Sequence, residues 1–435
     1  MNWKEIYQSR TMSAQAALQK VPANCRMFLG QSMGEPQYLV NTMCDHKEWF
    51  TNVEITHMGS RGPHRYCNEP GMEGHFRHNS LFVSEASRQA IAEGRADFTP
   101  TFFSEIPKLI RSGRLKADVL LVQVAPPDEE GNVSLGLAVD YTKAALENAD
   151  LVIAQVNDQY PFTYGGALVP VEKIHCFVEH SEPVLELPTK PFTEVEREIG
   201  RHCASLIEDG DTLQLGIGSI PDAVCSFLQE KKGLGIHTEL MCDGVMKLMK
   251  AGIVTNENKV LDKGFITSAF AMGTREFYDF IDHNEKIKMM PVDYTNNVVN
   301  IAMQDHFVSI NSAVEVDLMG QVCSESVGLR QISAVGGQVD FVRGSMMAAH
   351  GKSIIAIPSR AGKANRSKIV ATLTPGATVT TTKNDVDYVV TEYGIAHLRG
   401  LTQRARARAL IAIAHPDARE ELEKFYHQQY PNNSL

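Results

Sequence analysis

Apolar runs of strand length alternate with helix-like stretches along the whole chain. Residues 117–125 (ADVLLVQVA) are almost wholly apolar and stop at Pro126 and Pro127; residues 149–156 (ADLVIAQV) repeat the pattern and stop at Asn157 and Asp158. Apolarity that is continuous rather than alternating predicts strands buried on both faces, the signature of a parallel sheet. Residues 141–148 between them read as a short helix. Strand, helix, strand is a βαβ unit, and its recurrence predicts an α/β fold.

The rhythm breaks at 183–191, where Pro183, Pro188 and Pro191 fall within nine residues. That density prevents a helix and favours an extended linker. It predicts two domains, 1–188 and 189–435, each a mostly parallel sheet flanked by helices. A helix then starts at Thr193, which with Glu196 spells a capping box, and Ile199, Cys203 and Leu206 carry its apolar stripe to about Glu208, before Gly210. Further strands are expected at 212–215, 352–357 and 387–391, and helices at 222–229 and 403–414. Arg404, Arg406 and Arg408 fan around the last helix and predict a solvated face.

Bulk properties narrow the field. A chain of 435 residues exceeds one ordinary core, and 43% hydrophobic with 22% charged residues is the balance of a globular protein. A formal net charge of −10 argues against a nucleic-acid surface. Eight scattered cysteines without a C-x-x-C pair predict buried, reduced thiols. The first residues lack an apolar signal core, and no run approaches membrane-span length. The expectation is a cytoplasmic protein that does not contact a membrane.

Candidate chemistry begins at Gly216-Ile217-Gly218-Ser219-Ile220-Pro221, a strand-to-helix turn. Such a turn exposes backbone N–H groups to a phosphate or an oxyanion, and Pro221 suits the first helical turn, where a donor is not missed. About twenty residues later Glu239 ends a strand-like run. Glycine turn plus acid is also the outline of a dinucleotide site, so an NAD-dependent dehydrogenase competes. Its third glycine is replaced by Pro221, however, and no set for hydride transfer follows. His237-Thr238-Glu239 matches the H-x-E of zinc deaminases, but no P-C-x-x-C follows, so no metal is expected. Ser219 is not in a G-x-S-x-G elbow. A second cluster, Gly336-Gly337 beside Asp340 and Arg343, can form an anion-binding nest, with the charged pair bracing it.

Seven blocks in order carry a resemblance. They are Trp3-Lys4-Glu5-Ile6-Tyr7, Phe102-Phe103-Ser104-Glu105-Ile106-Pro107, Leu213-Gln214-Leu215-Gly216-Ile217-Gly218, His237-Thr238-Glu239, Met272-Gly273-Thr274, Gly336-Gly337-Gln338-Val339-Asp340-Phe341 and Val390-Thr391-Glu392-Tyr393-Gly394. Together they resemble the acetyl-CoA hydrolase/transferase family, and within it the glutamate-dependent CoA-transferases of the 4-hydroxybutyrate and butyryl-CoA:acetate group. The resemblance implies two α/β domains with the active site in the cleft between them. It places the catalytic glutamate on Glu239, in the second domain, and CoA contacts on Gly216 to Ile220, Gly336, Gly337, Asn311 and Lys363. Gln31, where some members carry histidine, is implied to face the acyl pocket, with Met58 either there or in the core. Coenzyme A would be a substrate rather than a resident cofactor, small carboxylic acids the co-substrates, and the assembly a homodimer or larger. Rival readings are an acyl-CoA hydrolase, the dehydrogenase, and a non-catalytic CoA- or nucleotide-binding module.

Overall fold

The run at 117–125 becomes the strand Val119–Val124, all six residues of which are buried. It pairs in parallel with Leu151–Val156 from Val119↔Leu151 to Val124↔Val156, and the helix Thr142–Asn148 between them packs on the first strand. The βαβ unit read from the sequence is therefore present.

The computed structural model describes residues 2–362 and 365–431 and divides into two compact units. Unit 1 comprises Met1–Pro188, Glu239–Asp243 and Phe265–Asn296. Its seven-stranded sheet runs, in spatial order, Cys176–Glu179, Leu151–Val156, Val119–Val124, Arg26–Leu29, Val53–His57, Phe76–Ser80 and Ala96–Phe98. Every pairing is parallel. One face buries Met27, Leu29, Val53, Ile55, Leu121 and Ile153 against Leu18, Leu39, Met43 and Tyr66. A shorter parallel strip, Ile266–Ala271, Ile287–Met289 and Tyr164–Gly165, and the antiparallel pair Asn132–Ser134 and Leu168–Pro170 also belong to this unit.

Unit 2 comprises Thr189–Thr238, Gly244–Gly264 and Asn297–Leu435. Its strands run in the order Gly394–His397, Tyr388–Thr391, Lys352–Ala356, Phe307–Asn311, Thr212–Gln214 and the first part of Gly235–Met241. All neighbours are parallel except the hairpin 388–397. The expected capping box opens the helix Glu194–Ala204: Thr193 Oγ1 accepts from Glu196 N at 3.3 Å and Thr193 N donates to Glu196 Oε2 at 2.7 Å.

The first segment of unit 1 ends at Pro188, inside the proline-rich stretch. Strand Gly235–Met241 leaves unit 2 after Thr238, so Glu239 clusters with the first unit although it lies well past residue 189. A chain that returns to an earlier layer does so through long-range packing, which linear order does not display. All eight cysteines are buried and none forms a disulfide. Burial pushes Cys25 up to about 11 and Cys44, Cys67 and Cys203 to about 12.

Candidate active site

Glu239 lies where the strand Gly235–Met241 becomes partly exposed between buried neighbours. Asn296 Nδ2 donates to Glu239 Oε2 at 2.8 Å. Asn296 is fully buried and ends the short helix Val292–Thr295, with its N–H on Val292 O at 2.9 Å. Thr295 Oγ1 donates to Asn296 Oδ1 at 2.9 Å, which fixes the amide orientation. Ser268 Oγ donates to the Glu239 carbonyl at 3.3 Å. Backbone and carboxylate of this residue are thus held separately within unit 1.

The same short helix leads to the residues expected near the acyl pocket. Val292 N donates to the Asp140 carbonyl at 3.2 Å. The Asp140 carboxylate is completely buried and accepts from Thr142 N at 3.1 Å and Thr142 Oγ1 at 3.2 Å. With its amide oriented to match its neighbours, Gln31 donates to Asp140 Oδ2 at 2.9 Å and Oδ1 at 3.2 Å. Burial raises Asp140 to about 7 and does the same to the nearby sequence neighbour of Gln31, the buried Glu35. Met58 is buried, and its N–H donates to Tyr141 Oη at 3.3 Å, whose hydroxyl donates to Leu29 O at 2.9 Å. A chain of bonds within unit 1 therefore joins Gln31, Asp140, the helix Val292–Thr295, Asn296 and Glu239.

The glycine turn belongs to unit 2. Gly218 adopts φ 110° and ψ −177°, a conformation that side chains rarely take, and caps the helix Ser219–Ser226. That helix was expected from residue 222. Gly218 opens it three residues earlier, because its backbone turns the chain where a side chain would resist. Asp222 N is tied to Gly218 O at 3.1 Å and Pro221 has no N–H, so the amides of Ser219 and Ile220 stand at the helix opening, beside Gly216 and Ile217. The Ser219 hydroxyl is engaged by Glu196 Oε1, so its amide, not its side chain, is the group on offer. Gln214 exchanges side-chain hydrogen bonds with Asn311, at 3.2 and 3.4 Å, which brings Asn311 beside the strand that feeds the turn. Thr238 Oγ1 donates to Leu215 O at 3.0 Å, and the next residue along the chain is Glu239. His237 is fully buried with its ring 6.1 Å from that of Phe307.

Gly336 takes φ 56° and Gly337 caps the helix Gln338–Met347, which packs on Phe307–Asn311 and Lys352–Ala356. Both glycines are buried. Arg343 reaches Asp385 at 3.6 Å. Lys363 lies outside the described residues. A cavity of about 590 Å³ in unit 2 runs along the far end of the helix Ser219–Ser226, lined by Lys190, Phe192, Asp222, Gln229 and Lys247. It does not include Glu239, and we place the chemistry on the hydrogen-bonded carboxylate instead.

Asn296, Ser268 and Asp140 were not anticipated. Their sequence surroundings carry no motif, and only the side-by-side packing of distant segments brings them to Glu239 and Gln31.

Comparison with known proteins decides the family. The N-terminal domain of the acetyl-CoA hydrolase/transferase family matches residues 1–187 and its C-terminal domain matches residues 273–426. The chain belongs to the acetyl-CoA hydrolase/transferase family. It is similar to the 4-hydroxybutyrate coenzyme A transferase of Clostridium kluyveri, 53% identical over 97% of this chain and 98% of that protein. It is also similar to the succinyl-CoA:cyclohexane-1-carboxylate CoA transferase of Geobacter metallireducens, 44% identical over 96% and 95%. The crystal structure of RipA from Yersinia pestis superposes with a TM-score of 0.94 at 31% identity, covering 99% of this chain and all of that one. With such relatives over its full length, this family member is an enzyme of the CoA-transferase type. Among the described residues, no helix is long and apolar enough to cross a membrane.

Proposed function

We propose that this enzyme moves coenzyme A between an acyl-CoA and a short-chain carboxylate of the 4-hydroxybutyrate, butyrate or acetate class, with Glu239 as the covalent carrier. The observation that carries the reading is the Glu239 carboxylate held by Asn296, at the position where the sequence resemblance implies the catalytic glutamate. The similarity to a 4-hydroxybutyrate coenzyme A transferase supports the substrate class.

Direct exchange between a free carboxylate and a thioester is slow, and an enzyme carboxylate divides it into easier steps. Glu239 adds to the acyl carbonyl, the C–S bond breaks, and CoA leaves as thiolate, giving a mixed anhydride. The thiolate then adds to the glutamyl carbonyl and expels the first acid as carboxylate, which leaves a glutamyl-CoA thioester. The second acid reverses both steps. Each addition creates an oxyanion, for which the amides of the turn at Gly216 to Ile220 and of Gly336 and Gly337 are the proposed donors; one such donor typically contributes about 2.7–4 kcal/mol. Asn311 and Lys363 are proposed CoA contacts, and Gln31 and Met58 are proposed to shape the acyl end. Water must be excluded, since it would divert the anhydride to hydrolysis. A cytoplasmic homodimer or larger assembly completes the proposal.

Incubation with acyl-CoA followed by hydroxylamine or borohydride should mark Glu239 alone, as read by peptide mass spectrometry. Glu239→Ala should abolish transfer, and Glu239→Asp should lose most of it because the shorter arm misplaces the carboxylate. Marking of another residue overturns the mechanism. Release of free CoA that is indifferent to added acid would make the enzyme a hydrolase.

A further inference from the structure

Three histidines in unit 1 converge without serving Glu239, Asn296 or Asp140. His57 ends the strand Val53–His57, and His78 lies on the neighbouring strand Phe76–Ser80, opposite Ile55. His64 sits just before the helix Arg65–Asn68. Their rings are in mutual contact, with centroids 4.5 Å (His57–His78), 5.0 Å (His57–His64) and 5.7 Å (His64–His78) apart. All three are at most 1% exposed. One nitrogen from each lies within 4.8 Å of the others.

We propose that His57, His64 and His78 bind a divalent transition-metal ion of the zinc class.

The nitrogens are disposed for it. His78 Nδ1 is anchored on the Ile55 carbonyl at 3.0 Å, which puts the proton there and leaves the Nε2 lone pair without a partner. His57 Nε2 is bonded to Tyr66 Oη, and its Nδ1 is without a partner. Of the His64 ring nitrogens, one comes within reach of the Ser60 backbone and the other has no partner. One ring nitrogen held by a carbonyl or hydroxyl, the other left bare, is how metal-binding imidazoles are oriented by their surroundings. Stacking of neutral rings would account for the ring contacts, but it leaves one buried nitrogen of each ring desolvated and unused, which folded proteins avoid.

The donor set selects the ion. Three imidazoles with no carboxylate among them suit zinc, nickel, copper or iron, and not magnesium or calcium. Tetrahedral zinc with bonds near 2.0–2.1 Å needs nitrogens about 3.3 Å apart, so the three rings would draw in from their present spacing on taking up the ion. The ion would tie two adjacent strands to the loop that carries His64. Tyr66 is a positioning residue acting through His57.

The test uses the full-length protein, stripped with a chelator and dialysed against zinc chloride or cobalt chloride. Elemental analysis should find one ion per chain, the cobalt form should show the intense visible bands of tetrahedral coordination, and zinc should raise Tm. His64→Asn, which tolerates the left-handed backbone, and His78→Phe, which keeps a ring in the space, should each lose stoichiometric binding. Tyr66→Phe should weaken Kd by about tenfold or more. His306→Gln with His350→Gln, removing the stacked pair 4.6 Å apart in unit 2, should change nothing. The proposal falls if the wild-type chain takes up no stoichiometric ion. It falls equally if folded His64→Asn and His78→Phe bind like wild type. Should both variants fail to fold, the wild-type cobalt spectrum decides: no tetrahedral bands, no site.

Discussion

Asn296 donates one amide N–H to the Glu239 carboxylate at 2.8 Å, while Thr295 pins the other end of the same amide at 2.9 Å. The amide cannot turn over without setting its oxygen against the carboxylate. A donated hydrogen bond favours the ionised acid, the form that attacks in the proposed cycle. Asn296→Ala should lower kcat roughly ten- to a hundred-fold, in line with about 1.5–3 kcal/mol for a hydrogen bond to a charged group. KM for acyl-CoA should change little, and the acidic limb of the kcat/KM profile should move to higher pH. Unchanged kcat and an unmoved limb would remove Asn296 from the mechanism.

Gly218 isolates the backbone from the side chain. A Cβ built there meets nothing within 4 Å, yet φ is 110°. Gly218→Ala should therefore cost about 1–3 kcal/mol through the backbone alone. The strain should tilt the Ser219 and Ile220 amides and raise KM for acyl-CoA. Calorimetry and initial-rate kinetics on the same preparation test both halves. Wild-type Tm and KM together would mean that the turn tolerates a side chain.

Asp140 ties stability to pH. Burial lifts it from 3.8 to about 7, so the folded chain keeps a proton that the unfolded chain releases. Its contribution is whole below about pH 4 and is lost as pH rises through 7. Asp140→Asn carries no such proton, so the wild-type advantage over this variant should shrink between about pH 5 and about pH 8. Urea midpoints at the two pH values measure it. The same gap at both would mean that Asp140 is already ionised at the lower one.

Much of the fold was readable because its central strands are apolar almost throughout: within 117–125 and 149–156 the polar residues do not alternate, so neither run has a solvent-facing side. Thr193 and Glu196 announced their helix for the same local reason, since a capping box acts within four residues. The far end of that helix was less legible. It stops at Ala204 rather than near Glu208, because Asp211 Oδ2 takes the Glu208 N–H at 2.8 Å and draws the chain away. Arg404 and Arg408 face outward as expected, while Arg406 reaches back to the Lys383 carbonyl. The glycine turn at Gly216 to Gly218 could be found by type and spacing, and Glu239 was singled out as an acid some twenty residues beyond it. Asn296 and Asp140 could not, because each acts through a neighbour distant in sequence. The three histidines were missed likewise: spacings of seven and fourteen match no local ligand pattern, and the pairing of two strands and the packing of the loop before Arg65 unite them.

The cysteines have a bearing on the substrate. The proposed cycle frees a reactive sulfur nucleophile and handles activated acyl groups, both of which attack exposed thiols. Each of this chain's own eight thiols is sealed inside, and burial keeps several protonated far above neutrality. Neither a wandering acyl group nor an oxidised dimer of the cofactor finds a competing sulfur to capture it, so the only sulfur in play is the one the substrate brings.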